Sequence, residues 1–418
     1  MALVNEHFLK LPENSLFADL EKKINSFKIT HHQAELIYLN RNDAVCPIPQ
    51  AASAALHKAV DELCKAETFK GYSPIQGYDF LIDTIIKHDY QTRGISFSPT
   101  EIFVNDGSKS DLGNFGDILR HDNSIGVTDS SYPFYIDSNA MCGRAGCIQP
   151  EDGKWSNVVY IPCDKEKSFI PQLPGCRVDI IYLSNPIFPT GALLTKQELK
   201  KWVNYALEND TLILYDAAFE PFIQHPDIPH SIFEIKGARK VAIEFKSYSK
   251  AAGFSGIRCG YTVVPKEVSA AKLTGERKQL NSMWRRRQEI KFNGASYMVQ
   301  RAAEALYTPE GKEQTSQCIN YYRENIRIIT EACRQYGLTC HSSPNFPFVW
   351  IKTPSGKSSW KFFEEILYNT YVACTPGALF GPGGEGYIQL SAYCTHEACA
   401  EAMKRLGKDL CLLKLVVL

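Results

Sequence analysis

From Glu101 to Val264 the chain repeats one unit: a short apolar run, a polar turn, a helical stretch, then the next apolar run. The runs are Ile102–Val104, Ile125–Thr128, Val158–Ile161, Ile180–Leu183, Leu212–Tyr215 and Val241–Phe245, with Gly260 to Val264 after them. They lack the apolar–polar alternation of a half-solvated strand, so both of their faces must be covered. Segments such as Gln197–Glu208 have the spacing of helices that would cover them. Together these features specify a mostly parallel, doubly wound α/β sheet. In such a sheet the loops at the carboxyl ends of the strands carry the chemistry.

The flanks differ from this middle. Leu16 to Phe27 has helical apolar spacing, and Glu35 to Leu39 reads as a short strand. A helix from Ala51 to Cys64 follows Pro47 and Pro49; Lys70 to Pro74 is a loop, and Tyr78 to Arg93 a further helix. After Asn293 come helices over Ser296–Leu306 and Gln317–Tyr336, short strands near Phe348–Ile351 and Tyr387–Ser391, and a closing helix, His396–Leu406. The expectation is an N-terminal segment, 1–46, packing with a small α+β domain, 295–418, beside a large domain, 47–294. A chain of 418 residues can bury both cores.

Charge narrows the partners. Lys and Arg number 46 and Asp and Glu 46, so neither nucleic acid nor an anionic membrane is favoured. The run Arg285-Arg286-Arg287 is too short to alter that. Met1 to Asn14 has no signal-peptide core, and Leu410 to Leu418 is too short to span a bilayer. The 14 cysteines are scattered and form no C-x2-C pair, so they read as reduced thiols in a cytoplasmic protein.

Four groups stand at strand ends. Glu244 to Lys250 runs from a buried strand into a small-residue turn with Ser247 and Ser249, then Lys250, with Arg258 eight residues on. A lysine amine there can condense with the aldehyde of pyridoxal phosphate, while hydroxyls and a guanidinium hold the phosphate. The ordinary alternative is a solvated surface lysine. Asp106-Gly107-Ser108-Lys109 opens a helix and offers amides, a hydroxyl and an ammonium to a phosphate; otherwise it is a plain N-cap. Tyr132 could stack on a heteroaromatic ring or be a core aromatic. Asp216 could pair with a protonated pyridine nitrogen or cap a helix. Their common placement favours one cofactor site.

With these residues in place, the chain resembles the fold-type I pyridoxal-phosphate aminotransferases, and within them the LL-diaminopimelate aminotransferases. The resemblance runs from about Asn5 to Leu406 and includes Pro229-His230-Ser231-Ile232-Phe233-Glu234-Ile235 and Lys291-Phe292-Asn293-Gly294-Ala295-Ser296-Tyr297. It implies a homodimer with shared sites, in which Tyr72 reaches the neighbour's phosphate and Asn293 the neighbour's substrate. It also implies that Lys250 holds the cofactor and is catalytic, Asp216 pairs with the pyridine and Tyr132 stacks on it. Ser108, Lys109, Ser247, Ser249 and Arg258 become phosphate and substrate neighbours, with Lys109 and Tyr132 also touching substrate. The implied reaction is ping-pong transfer between an amino acid and a 2-oxo acid, interconverting tetrahydrodipicolinate and LL-diaminopimelate with 2-oxoglutarate as acceptor, in lysine biosynthesis. A lysine of ordinary pKa, about 10.4, is a poor base near neutrality, so burial and a nearby cation must lower it.

The chain departs from that pattern at six positions. Phe188 stands where the family has the Asn before Pro-Thr-Gly, and Phe219 where it has a Tyr after the pyridine-binding Asp. Both replaced residues donate to the cofactor's phenolic oxygen. Gln389 replaces the Arg that clamps the substrate α-carboxylate, and Asn42 lies in Asn40-Arg41-Asn42-Asp43 in place of Gly-Ile-Gly-Asp. Ser15 replaces a substrate-contacting Tyr and Ile75 a Glu that reads the distal amine. Two readings follow: an aminotransferase, perturbed at the substrate end, or a silent homologue serving as a binding or regulatory dimer. A narrower third is another pyridoxal-phosphate reaction, on a substrate lacking the usual carboxylate clamp.

Overall fold

A computed structural model describes residues 2–12 and 16–416. After helix Leu16–Thr30 and strand β1 (Ile37–Tyr38), the sheet strands follow in order: β2 (Ile102–Asn105), β3 (Ile125–Thr128), β4 (Val158–Ile161), β5 (Ile180–Ser184), β6 (Leu212–Asp216), β7 (Ala242–Ser247) and β8 (Gly260–Val263). These seven form one sheet ordered β2-β8-β7-β6-β5-β3-β4. β8 runs antiparallel to both neighbours and every other pairing is parallel. The strands are buried nearly end to end, as their unbroken apolar runs require.

Helices connect and cover the sheet. Lys196–Asn209 is typical: Thr195 accepts from the Glu198 amide, and the Glu198 carboxylate accepts from the Thr195 amide at 2.7 Å. That reciprocal cap satisfies donors the first turn would otherwise leave open. Asp210, at φ 54°, ends the helix in the left-handed region.

The register decides where chemistry can occur. Ser184 lies beside Asp216, Asp216 beside Phe245, and Gly260 beside both Ser247 and Asn105. The carboxyl ends of β2, β5, β6 and β7 therefore meet on one edge. Gly260 admits this close approach, since a Cβ there would press on the Lys246 carbonyl and the Asn105 side chain.

Several expectations need correction. The segment 78–93 is not one helix: an α-helix, Asp79–Ile85, passes into a π turn, Ile86–Tyr90, and a 3-10 turn, Gln91–Arg93. The wide turn lets adjacent residues both bond inward, Asp89 to Tyr261 and Tyr307 and Tyr90 to Glu244. The helix expected from Gln317 begins at Pro309, where Thr308 caps it. The closing helix runs on to Val416.

Ser269–Ala271, Arg277–Gln279, Cys340–Ser342, Val372–Ala373 and Thr375–Pro376 are five strands beyond those expected from the sequence. β9 (Ser269–Ala271) and β10 (Arg277–Gln279) form an exposed polar hairpin. β11 (Cys340–Ser342), β12 (Phe348–Lys352), β14 (Thr375–Pro376) and β15 (Tyr387–Ser391) form a second antiparallel sheet, in the order β11-β12-β15-β14. β13 (Val372–Ala373) pairs in parallel with β1. No helix of the described residues is long and apolar enough to cross a membrane.

Candidate active site

Asp216 is the last residue of β6, and the register delivers its carboxylate to the sheet edge. Its Oδ1 accepts from the Ala218 amide at 3.0 Å and its Oδ2 from the Tyr135 hydroxyl at 2.7 Å. Burial raises its pKa, while these two donors and the Lys250 ammonium pull the other way. A carboxylate so desolvated gains from a cationic partner.

Lys250 follows β7 on the short helix Ser249–Ala252, which Gly253 closes at φ 68°. Its Nζ donates to the Asn42 carbonyl at 2.5 Å and lies over the rings of Phe219 and Tyr393. Burial brings its pKa down to about 8; Arg258 adds to the fall, and Asp43 and Asp216 resist it. A lysine poised there is a usable base.

Arg258 adopts a left-handed backbone, φ 61°. Its Nη1 lies 3.4 Å from the Ser249 hydroxyl and 3.3 Å from the Ser255 carbonyl. The guanidinium packs directly on Gly107, whose φ of 114° and lack of a Cβ are both required there. Among the described residues no carboxylate forms an ion pair with Arg258. Its charge, with the hydroxyls of Ser108, Ser247 and Ser249 and the Lys109 ammonium lining the same space, forms a cradle for an anion.

These groups line one cavity of about 260 Å3, with Tyr132, Asp216, Lys250, Phe188, Phe219 and Asn42 in its walls. Burial, with Asp216 nearby, raises the Tyr132 phenol to about 12, so it stays neutral. An anion cradle, a desolvated carboxylate and a depressed amine in one cavity fit pyridoxal phosphate, whose phosphate, ring nitrogen and aldehyde call for those three kinds of partner.

The departures form a wall of their own. Phe188 stacks with Phe219 at 6.0 Å and meets Phe346, Phe348 and Phe380 edge-on. Gln389 is 2% exposed, donates to the Pro189 carbonyl at 3.1 Å and does not line the cavity. Asn42 acts here through its carbonyl, while its side-chain Oδ1 is buried without a partner. Ser15 lies outside the described residues.

Tyr72, Ile75 and Asn293 do not line their own chain's cavity. Tyr72 is 88% exposed, and the turn at Gly294 packs on Ser73 and Pro74, which brings the Tyr72 loop beside Asn293. Sequence reasoning passed over Tyr135, Asp43 and Tyr393. The first was findable: it sits one helical turn after Tyr132 and so shares its face.

A sequence model of aminotransferase class I and II matches residues 34–406. LL-diaminopimelate aminotransferase of Bacteroides fragilis (strain YCH46) is 62% identical over 410 residues, covering 98% of this chain and all of the relative. The enzyme of that name from Phocaeicola vulgatus is 62% identical over 408 residues, 98% of this chain and 99% of its own. The solved L,L-diaminopimelate aminotransferase from Chlamydomonas reinhardtii superposes with a TM-score of 0.90 at 34% identity, covering 97% of this chain and 98% of that one. With its fold and matched span in agreement, the chain belongs to the class I and II aminotransferases, fold-type I enzymes that work with pyridoxal phosphate.

Proposed function

We propose that this aminotransferase transfers an amino group between LL-diaminopimelate and 2-oxoglutarate, with tetrahydrodipicolinate as the deaminated partner. The named activity of relatives at 62% identity supports this substrate. The observation that carries the chemistry is that Lys250, Asp216 and Arg258 face one cavity.

Bound there, pyridoxal phosphate supplies an electron sink for the pair left on the substrate α-carbon when its proton departs. The chain's own residues do the rest. Arg258, Ser247, Ser249, Ser108 and Lys109 hold the phosphate by charge-assisted hydrogen bonds. Asp216 keeps the ring nitrogen protonated, with Tyr135 and the Ala218 amide fixing its carboxylate. Tyr132 stacks on the ring, and with Lys109 it borders the substrate. Lys250 Nζ, partly neutral because its pKa is about 8, takes the proton from the α-carbon. The stacked rings of Phe188 and Phe219 would offer no hydrogen-bond donor to the ring oxygen.

The working unit is a homodimer. The exposure of Tyr72 and its closeness to Asn293 support placing that loop pair over a neighbour's cavity. Within each chain, residues 1–46 associate with a small domain, 295–418, against a large domain, 47–294; the pairing of β1 with β13 supports that division. The enzyme works in the cytoplasm.

Borohydride treatment of the cofactor-loaded protein, followed by peptide mapping, should place the label on Lys250. Adding LL-diaminopimelate alone should change the visible absorbance, and 2-oxoglutarate should reverse the change. A label elsewhere, or bound cofactor whose absorbance no amino donor alters, would overturn the proposal.

A further inference from the structure

Behind the strand that leads to Lys250 lies a second cavity, of about 460 Å3, bounded by the sheet, the segment 86–93 and the start of helix Pro309–Tyr336. Nothing in transamination uses it. Within it stands Asp89, set there by the π turn Ile86–Tyr90. Its Oδ2 accepts from the hydroxyls of Tyr261 at 2.7 Å and Tyr307 at 2.6 Å. Among the described residues its Oδ1 has no hydrogen-bond partner and no cation pairs with the carboxylate. The neighbouring ammonium, Lys246, is spent on Glu220 at 2.9 Å and the His230 carbonyl at 3.0 Å. Burial accordingly raises the Asp89 pKa.

Apart from Glu220, which Lys246 holds, the acidic and basic groups in the rest of the lining are cationic. Arg93 approaches Glu220 only to 4.0 Å, and among the described residues Lys312 meets no acid, its ammonium lying 3.1 Å from the His88 ring. Arg323 gives its donors to the Asn320 side chain and to the carbonyls of Phe222 and Pro344, all neutral groups. A lone cation would answer Asp89 and add to the surplus of Arg93, Lys312 and Arg323. A lone anion would answer those three and repel Asp89. Only a molecule carrying an ammonium and at least one carboxylate answers both.

We propose that this cavity is a second ligand site, for a small α-amino acid held by its ammonium at Asp89 and by its carboxylate at Arg93 and Lys312. The excess of positive charge in the lining favours an amino dicarboxylate. The site is wired to the catalytic lysine: the Tyr307 hydroxyl lies 2.9 Å from that of Tyr248, two residues before Lys250, and Ser247 lines both cavities.

Equilibrium dialysis with labelled L-glutamate tests this, on cofactor-loaded enzyme first reduced with borohydride so that the cofactor is fixed to Lys250 and glutamate cannot be consumed. The expected result is two molecules bound per chain. Asp89→Asn keeps an oxygen for the tyrosines but removes the charge, and Arg93→Ala changes an exposed residue. Each should weaken the second site by about ten-fold or more while KM for the amino donor stays unchanged. Butylamine and acetate, each carrying one half of the charge pattern, should not displace the second molecule. One bound molecule per chain in every protein, or two in both variants at undiminished affinity, overturns the proposal.

Discussion

The Tyr135 hydroxyl stands 2.7 Å from Asp216 Oδ2 and donates to it from the neighbouring helix Phe134–Met141. It is one of the two neutral donors that oppose the rise which burial gives the Asp216 pKa. Tyr135→Phe should push the Asp216 pKa further up and weaken its hold on a protonated ring nitrogen. A hydrogen bond to a charged group contributes about 1.5–3 kcal/mol, so cofactor Kd should rise roughly 10- to 150-fold. A fluorescence titration with pyridoxal phosphate measures it, and an unchanged Kd would remove Tyr135 from the site.

Lys250 titrates at about 8 in the folded protein, below its ordinary 10.5. A lysine so shifted binds fewer protons folded than unfolded between those values, so the cofactor-free protein should gain stability as pH rises through that window. Loading also needs the neutral amine, and its rate should climb with pH and level off above about 8. Stopped-flow mixing with pyridoxal phosphate across pH 6.5–9.5 would follow the rate. A pH-independent rate would contradict the depressed value.

Gln389 cannot supply the bidentate cation that a carboxylate prefers. Restoring one partner of a buried charge pair contributes about 2–5 kcal/mol, which at ~1.4 kcal/mol per decade is roughly 30- to 3,000-fold. Gln389→Arg, combined with Phe188→Asn to open the packed wall, should raise kcat/KM for LL-diaminopimelate within or somewhat below that range. Steady-state kinetics with no gain would mean that this edge of the small sheet no longer faces substrate.

Neither Phe188 nor Phe219 can donate to the cofactor's phenolic oxygen. The visible absorbance of the loaded enzyme should therefore titrate at higher pH than that of Phe219→Tyr. A spectrophotometric pH titration of both proteins compares them directly, and coincident midpoints would refute the assignment.

Glu220 is mostly desolvated, which alone would raise its pKa, yet Lys246 and His230 outweigh that and bring it to about 2. A carboxyl depressed in this way stabilises the fold above its unfolded pKa, about 4.3, and the contribution is lost as pH falls toward 2. Lys246→Met strands the charge and should cost about 3–5 kcal/mol at pH 7. Because much of that loss is the unpaired Glu220 charge, the variant should recover part of it as pH falls. Urea melts at pH 7 and pH 4 would show both effects.

The large sheet was legible because its strands are buried on both faces. Ile125–Thr128 and Val158–Ile161 fall where unbroken apolar runs put them. Asp216, Lys250 and Ser108 meet because parallel topology sends consecutive strand ends to one edge. What lacks periodicity was hidden. The polar hairpin of Ser269–Ala271 and Arg277–Gln279 has no apolar face to betray it. The π turn at Ile86–Tyr90 carries Asp89 to tyrosines distant in sequence, Tyr261 and Tyr307. The capping of Lys250 by Asn42 joins a loop to a helix through a main-chain oxygen, which side-chain identity does not announce.

The parallel pairing of Ile37–Tyr38 with Val372–Ala373 closes the chain upon itself. As the polypeptide leaves the ribosome, its first strand has no mate until nearly everything else has been translated. The large sheet can assemble during that wait, but the opening segment stays an unzipped edge until the end. A stalled or shortened product would therefore carry a finished cofactor-binding half with a loose leading strand.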